Sequence, residues 1–376
     1  MQRSAVGVIG GGVVGASVAL ALARRGVEVI LLEAERELAL AASGTNSGIL
    51  HSGFDSPPGT LETKLILRST EIREQVLSEL RVPLLRAGAV LRPHGERERA
   101  VIAELAAGAH ANGVVVVLRE DGGLGVPGEW VTDPVAFTLS LAAAAQRSGA
   151  EVVCEARVEE VRAEADGLVL ATAGGAIAHC RAAVNCAGLH ADDVARAAGD
   201  DHFRVYPRKG EFLVFDRPPD WELEIRLPVP EAGTKGVLVF PTVDGKLVAG
   251  PTAHDQEDKR DWSVRPQAVA ELIEKASALA PEIGALETVG AYAGLRPAGV
   301  GVNYLIERSR ACPRLVHAAA IRSTGLSAAL AIAERVTELL AEMGVTIGSE
   351  GPLARGEPQL PSEPWWQRSA RYWATA

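Results

Sequence analysis

Apolar residues at Val6, Val8 and Ile9, an alanine-rich stretch over 13–24 and a second apolar run over 27–32 predict a strand, a helix and a strand within the first thirty-odd residues. The first strand and the helix are joined by Gly10-Gly11-Gly12-Val13-Val14-Gly15, and the second strand ends on Glu33. This is G-x-G-x-x-G in the setting the motif requires: strand before, helix after, and an acid about twenty residues on. Gly10 permits the tight turn, Gly12 keeps a Cβ out of the path of a pyrophosphate, and Gly15 lets the helix lie close to the strand. The helix N-terminus offers N–H groups to phosphate oxygens. Glu33 is positioned to accept hydrogen bonds from a ribose diol and to repel a 2′-phosphate, so the expected ligand is FAD or NAD rather than NADP.

The remaining pattern is read in the same way. Helices are expected over 34–42, 61–80 (Thr60 as N-cap), 96–111, 135–147 (after Asp133-Pro134), 266–279 and 327–343; strands over 89–92, 114–118, 151–161, 168–172, 181–185, 204–215, 237–241, 246–250 and 315–320. The small and glycine residues of 43–53 predict a loop passing beneath a cofactor. Asn185-Cys186-Ala187-Gly188, ahead of a helix through Ala198, offers a second backbone approach to that cofactor, or an ordinary strand-to-helix connection. The architecture expected is α/β: a Rossmann-like domain from 1–80, 134–200 and 296–345, with an inserted, mostly antiparallel α+β substrate-binding domain from 81–133 and 201–295. The tail, 346–376, carries Trp365, Trp366, Tyr372 and Trp373 beside Arg368 and Arg371. Packing over the body is the first reading of that face; a partner contact or a membrane-surface anchor is the second.

Composition narrows the function. A net charge of −10 argues against nucleic acid as a partner. Four scattered cysteines without a C-x-x-C argue against disulfides and against a metal or iron–sulfur site. A reducing cytoplasm fits, with a membrane-peripheral position as a variant, and no apolar run is long enough for a membrane span.

Several stretches together resemble the D-amino-acid-oxidase-like flavoprotein superfamily. They are the glycine motif with Glu33, the loop Asn46-Ser47-Gly48-Ile49-Leu50-His51-Ser52-Gly53, Pro58-Gly59-Thr60-Leu61, Gly236-Val237-Leu238-Val239-Phe240-Pro241-Thr242, Ala249-Gly250-Pro251-Thr252, Gly294-Leu295-Arg296-Pro297 and Gly325-Leu326-Ser327. Within the superfamily the resemblance is to FAD-dependent glycerol-3-phosphate dehydrogenases and L-2-hydroxyglutarate oxidases or dehydrogenases, over about residues 5–340; the cysteine extension of some of the former is missing. It implies non-covalent FAD, with Gly10, Gly12, Val14, Gly15, Glu33 and Ala34 on the ADP half and Val158 near the adenine. Ser43, Thr45 and Asn46 would lie by the pyrophosphate and ribityl chain, and Ser47 and Gly48 would also belong to the cofactor site. Ala187 and Gly188, with Arg296, Thr324, Gly325, Leu326 and Ser327, would complete the cofactor site.

Oxidising an alcohol by hydride transfer to flavin N5 also requires that the hydroxyl proton go to a base, whereas an amine with a free lone pair has less need of one. His51 is the candidate base, since histidines titrate near neutrality, and Arg296 the candidate anion holder. Lys209, Tyr206 and Tyr292 are weaker pocket candidates. The expected reaction is glycerol 3-phosphate to dihydroxyacetone phosphate, with L-2-hydroxyglutarate or another 2-hydroxy acid, a secondary amine or an amino acid as alternative substrates. A non-enzymatic dinucleotide-binding protein is the remaining alternative. Oxygen, a quinone and a soluble carrier are all open as electron acceptor, and so is the oligomeric state.

Overall fold

The computed structural model describes residues 2–230, 236–354, 356 and 360–375; a few residues of the expected substrate domain and tail, 231–235, 355, 357–359 and 376, lie outside these. The predicted first strand, Gln2–Ile9, is the centre of an eight-stranded sheet. It runs parallel to Val29–Leu32 on one side and to Ile177–Asn185 on the other, and Val29–Leu32 runs parallel to Glu151–Val153. One end of Ile177–Asn185 pairs in parallel with Leu315–Ala319; the other end joins an antiparallel meander with Leu168–Thr172 and Val158–Ala163. Val29–Leu32, residues 6–9 and residues 182–184 are apolar where the sheet is covered on both faces. Helices Val13–Ala23, Pro134–Arg147 and Gly325–Glu342 share one core with Val8 and Leu31, while Ile9, Ile30 and Leu32 belong to a second core with the meander. This sheet is Rossmann-like, and the fold is mixed α/β.

A nine-stranded, mostly antiparallel sheet makes the second layer system. Its spine is the antiparallel pair Val205–Asp216 and Thr288–Gly299, matched along nearly their whole length. Lys246–Gly250, Leu238–Pro241, Ile225–Leu227 and Ala89–Leu91 extend it outwards. The boundary expected at 296 falls inside Thr288–Gly299, so Arg296 is carried by this sheet and not by the Rossmann-like part.

Two local expectations differ from the structure. Residues 34–42 form turns, not a helix, because their backbone groups are engaged elsewhere: Ala39 N–H donates to the Gly11 carbonyl, and the carbonyls of Leu38, Ala39 and Leu40 accept from the C-terminal helix. The strand expected over 151–161 divides into Glu151–Val153 and Val158–Ala163; between them Glu155 adopts φ +55°, and the N–H groups of Glu155 and Ala156 turn to the carbonyls of Glu35 and Glu33.

The aromatic tail forms helix Trp365–Trp373 and packs onto the body. Trp365 and Trp366 are buried, Trp365 lies edge-on to Tyr292, and Trp373 stacks on Trp262 with ring centroids 4.6 Å apart. Arg368 is buried and donates to the carbonyls of Leu38 and Ala39 and to Glu37. These rings are used inside the protein. Among the described residues no helix is long and apolar enough to cross a membrane. Arg368→Ala leaves two buried carbonyls unpaired and is expected to cost about 1–3 kcal/mol, read as a lowered Tm in a thermal melt; an unchanged Tm would show that the tail contributes no stability.

Candidate active site

The glycine turn is built as its residue types require. Gly10 adopts φ +107°, and a Cβ there would collide with the Cys186 carbonyl; one on Gly15 would collide with the Gly10 carbonyl, which is the close helix-to-strand approach. Ser43 Oγ accepts from Val13 N–H at 2.9 Å, bringing the 43–48 loop against the helix start. Glu33 accepts from Gly11 N–H at 2.6 Å and from Glu35 N–H at 2.9 Å, so its carboxylate fixes the turn as well as facing the cavity. Burial pushes the Glu33 carboxyl up, and the two backbone donors oppose that shift.

A cavity of about 1020 Å³ runs over this turn. Gly10, Gly12, Val14, Glu33, Ala34, Ser43, Asn46, Val158, Ala187, Gly188, Arg296, Gly325 and Leu326 all line it. The lining brings together an acid and Val158, the bare backbone of Gly10 and Gly12, and the start of helix Gly325–Glu342, a set that suits a dinucleotide. Thr45, Ser47 and Thr324 line a second cavity instead. Gly15, Gly48 and Ser327 line neither. A Gly48 Cβ would strike the Thr132 carbonyl, and Ser327 Oγ accepts from His51 N–H at 2.8 Å, so Gly48 and Ser327 shape the loop from behind.

The second cavity, about 910 Å³, meets the first at Ala42, Asn46, Arg296, Arg322 and Ser323. His51 lines it from the loop, and Arg208 and Arg296 line it from the second sheet. Arg296 donates through Nε to the Arg208 carbonyl (3.1 Å) and through Nη2 to the carbonyls of Lys209 (3.1 Å) and Thr252 (2.8 Å); Nη1 makes none of these bonds. Burial, helped by Arg208 and Arg322, lowers the Arg296 guanidinium to about 10, so it remains a cation at neutral pH. Arg208 is paired with Asp255 at 2.7 Å.

His51 Nδ1 lies 2.8 Å from Glu129 Oε2. Glu129 is fully buried and also accepts from Ser52 N–H (2.6 Å) and Ser52 Oγ (2.8 Å). Burial raises its carboxyl, but His51 and the Ser52 N–H outweigh this and hold it below the usual carboxylate range. Arg73, also buried, donates to the carbonyls of Leu50 (3.1 Å), His51 (2.8 Å) and Gly128 (2.6 Å) and sits over the Trp130 ring at 4.6 Å. Neither Glu129 nor Arg73 stands out in the sequence, where one is an acid in a glycine-rich turn and the other an arginine in an amphipathic helix.

Two sequence candidates are corrected. Lys209 is buried away from both cavities, its Nζ bonded to Asp261 (2.8 Å) and to the Ser263 carbonyl (3.0 Å). Tyr292 is a core residue stacked on Phe212 at 4.6 Å, and it also lines neither cavity. The four cysteines are free, three of them buried.

The two joined cavities, one shaped for a dinucleotide and one carrying a histidine and arginines, define a dinucleotide-dependent oxidoreductase site. A family model described as "DAO: FAD dependent oxidoreductase" matches residues 5–339, and the chain belongs to this family; its cofactor is FAD. The chain is 27% identical over 375 residues to a glycerol 3-phosphate dehydrogenase of Caloramator mitchellensis, covering 94% of this chain and 78% of that one. It is 29% identical to the mitochondrial L-2-hydroxyglutarate dehydrogenase of Arabidopsis thaliana, covering 88% and 82%. The FAD-bound, dithionite-reduced L-α-glycerophosphate oxidase from Mycoplasma pneumoniae superposes with a TM-score of 0.86 at 25% identity, over 96% of this chain and all of that one.

Proposed function

We propose that the chain oxidises a small anionic hydroxy compound, with glycerol 3-phosphate to dihydroxyacetone phosphate as the first reading and L-2-hydroxyglutarate or another 2-hydroxy acid as the second. The observation that carries this is the His51–Glu129 pair on a cavity shared with Arg296. An unactivated hydroxyl is a weak acid and requires a positioned base, so a histidine backed by a buried carboxylate favours alcohol over amine chemistry. Bound FAD supplies the acceptor for the carbon-bound hydrogen and its electron pair. His51 takes the hydroxyl proton, and Arg296, held rigid by three carbonyls, orients the anionic group and draws charge toward the developing carbonyl.

Phosphate is placed ahead of carboxylate on two grounds. The Gly250-Pro251-Thr252-Ala253 and Arg322-Ser323-Thr324-Gly325 stretches look more like the glycerol-3-phosphate group, and Arg296 and Arg322, on the substrate cavity with Arg208 and Arg92 that are paired with Asp255 and Glu224, suit a dianion. Dihydroxyacetone phosphate formed from glycerol 3-phosphate, with a dye as final acceptor, is the expected result. Turnover of L-2-hydroxyglutarate alone would select the second reading, and turnover of neither, with an amine consumed instead, would overturn both.

Arg296→Lys keeps the charge but loses the planar fork. The expected outcome, read at saturating FAD because Arg296 also lines the cofactor cavity, is a KM raised on the order of tenfold or more, which is ~1.4 kcal/mol of lost binding. A wild-type KM would remove Arg296 from substrate binding.

A further inference from the structure

We propose that Glu129 is the positioning residue of His51: it fixes the imidazole with the proton on Nδ1 and the lone pair on Nε2, and it balances the charge when the substrate proton arrives. This rests on the reading of His51 as base. The geometry leaves little freedom. Glu129 is ionised and can only accept, and two of its contacts are already donors on Ser52, so the 2.8 Å contact to His51 Nδ1 requires the hydrogen there. His51 is also fixed through its backbone, with N–H to Ser327 Oγ and C=O to Arg73. Arg73 further holds the Gly128 carbonyl, so one buried cation ties together the two chain segments that bear the pair, 78 residues apart in sequence.

Charged groups face this pair from the cavity and from behind: Arg208, Arg296 and Arg322 line the cavity that His51 lines. Arg73 attracts the Glu129 carboxylate and Asp55 repels it, while Glu74 acts on Arg73 from the exposed side of the same helix. The Ser52 N–H and Oγ, the His51 Nδ1–H and the nearby Arg73 cation compensate the fully buried carboxylate while the ring is neutral, so the counter-charge for the imidazolium formed on proton transfer is in place before substrate binds. The proton moves from the substrate oxygen to Nε2. The Nδ1 proton stays on the ring and is not passed to Glu129, the division of roles seen wherever a buried carboxylate orients a histidine base.

The test combines two variants and one measurement on the unaltered protein. In the FAD-loaded enzyme, Glu129→Gln is expected to lower kcat by on the order of a hundredfold, with KM and the flavin spectrum close to wild type. Glu129→Asp restores the charge and should return kcat toward the wild-type value at unchanged KM, a rescue that a purely structural role would not give. If Glu129→Gln fails to hold flavin, ¹⁵N-histidine NMR of the wild-type holoprotein decides the matter: a neutral Nδ1–H ring for the signal lost in His51→Asn supports the proposal, and an Nε2–H ring overturns it. A wild-type kcat in Glu129→Gln, alongside an inactive His51→Asn, would overturn this inference alone. Full turnover in His51→Asn would overturn the base reading beneath it.

Discussion

Replacing His51 with asparagine is expected to lower kcat/KM for the anionic alcohol by on the order of 10²–10⁴-fold, the usual contribution of a positioned acid–base group. Flavin content should be unchanged, because His51 lines the substrate cavity and not the 1020 Å³ cofactor cavity. Asparagine keeps a polar side chain next to Glu129 and spares the backbone contacts to Ser327 and Arg73, so the fold is retained. The loss should lie in kcat more than in KM, as the proton is taken only in the transition state. Stopped-flow reduction of the holoprotein reads this step directly. A variant reduced at the wild-type rate would mean that the hydroxyl needs no base here, or that the substrate is an amine.

Gly10→Ala has the second large effect: the protein is expected to purify colourless and with a lowered Tm. At φ +107° a side chain is strained wherever it points, and this one would point into the Cys186 carbonyl, with the Ala187 Cα 3.1 Å away. Cys186 and Ala187 both line the cofactor cavity, so any shift that relieves the clash moves the wall against which the dinucleotide lies. Gly108→Ala is the control, since that position has ordinary φ and open space on helix Glu96–Ala111, and it should keep its flavin. The visible-to-ultraviolet absorbance ratio of each purified protein measures the outcome. A full complement of flavin in Gly10→Ala would contradict the account of the turn.

The parts of the molecule that can be read from sequence are those whose physics is local. The strand, glycine turn, helix and acid of residues 6–33 lie within one βαβ unit, and each residue's role depends on near neighbours. Loop 43–53 is legible for a similar reason, since its small residues exclude a core element. Lys209 shows where local reading ends. It neighbours Arg208 on strand Val205–Asp216, successive side chains point to opposite faces, and only the pairing of that strand with Thr288–Gly299 decides which of the two meets the cavity. Tyr292 shares a strand face with Arg296 but lies four residues away, where the C-terminal helix covers it. The turn structure of 34–42 is likewise set from a distance, by Arg368 and Trp373 capturing carbonyls that a helix would have used. Glu129 and Arg73 are invisible for the same reason: an acid in a glycine-rich turn reads as solvated until the fold closes His51 and Ser52 around it, and an arginine in an amphipathic helix until it meets the Trp130 ring.

Anaerobic mixing of the FAD-loaded protein with glycerol 3-phosphate, followed by its visible spectrum, tests the central claim most directly. The account predicts that the flavin absorbance bleaches in wild type, with dihydroxyacetone phosphate formed in equal amount, and that bleaching is slowed by on the order of 10²–10⁴-fold in His51→Asn. A spectrum that stays unchanged with glycerol 3-phosphate and with L-2-hydroxyglutarate, yet bleaches with a secondary amine or an amino acid, would contradict it.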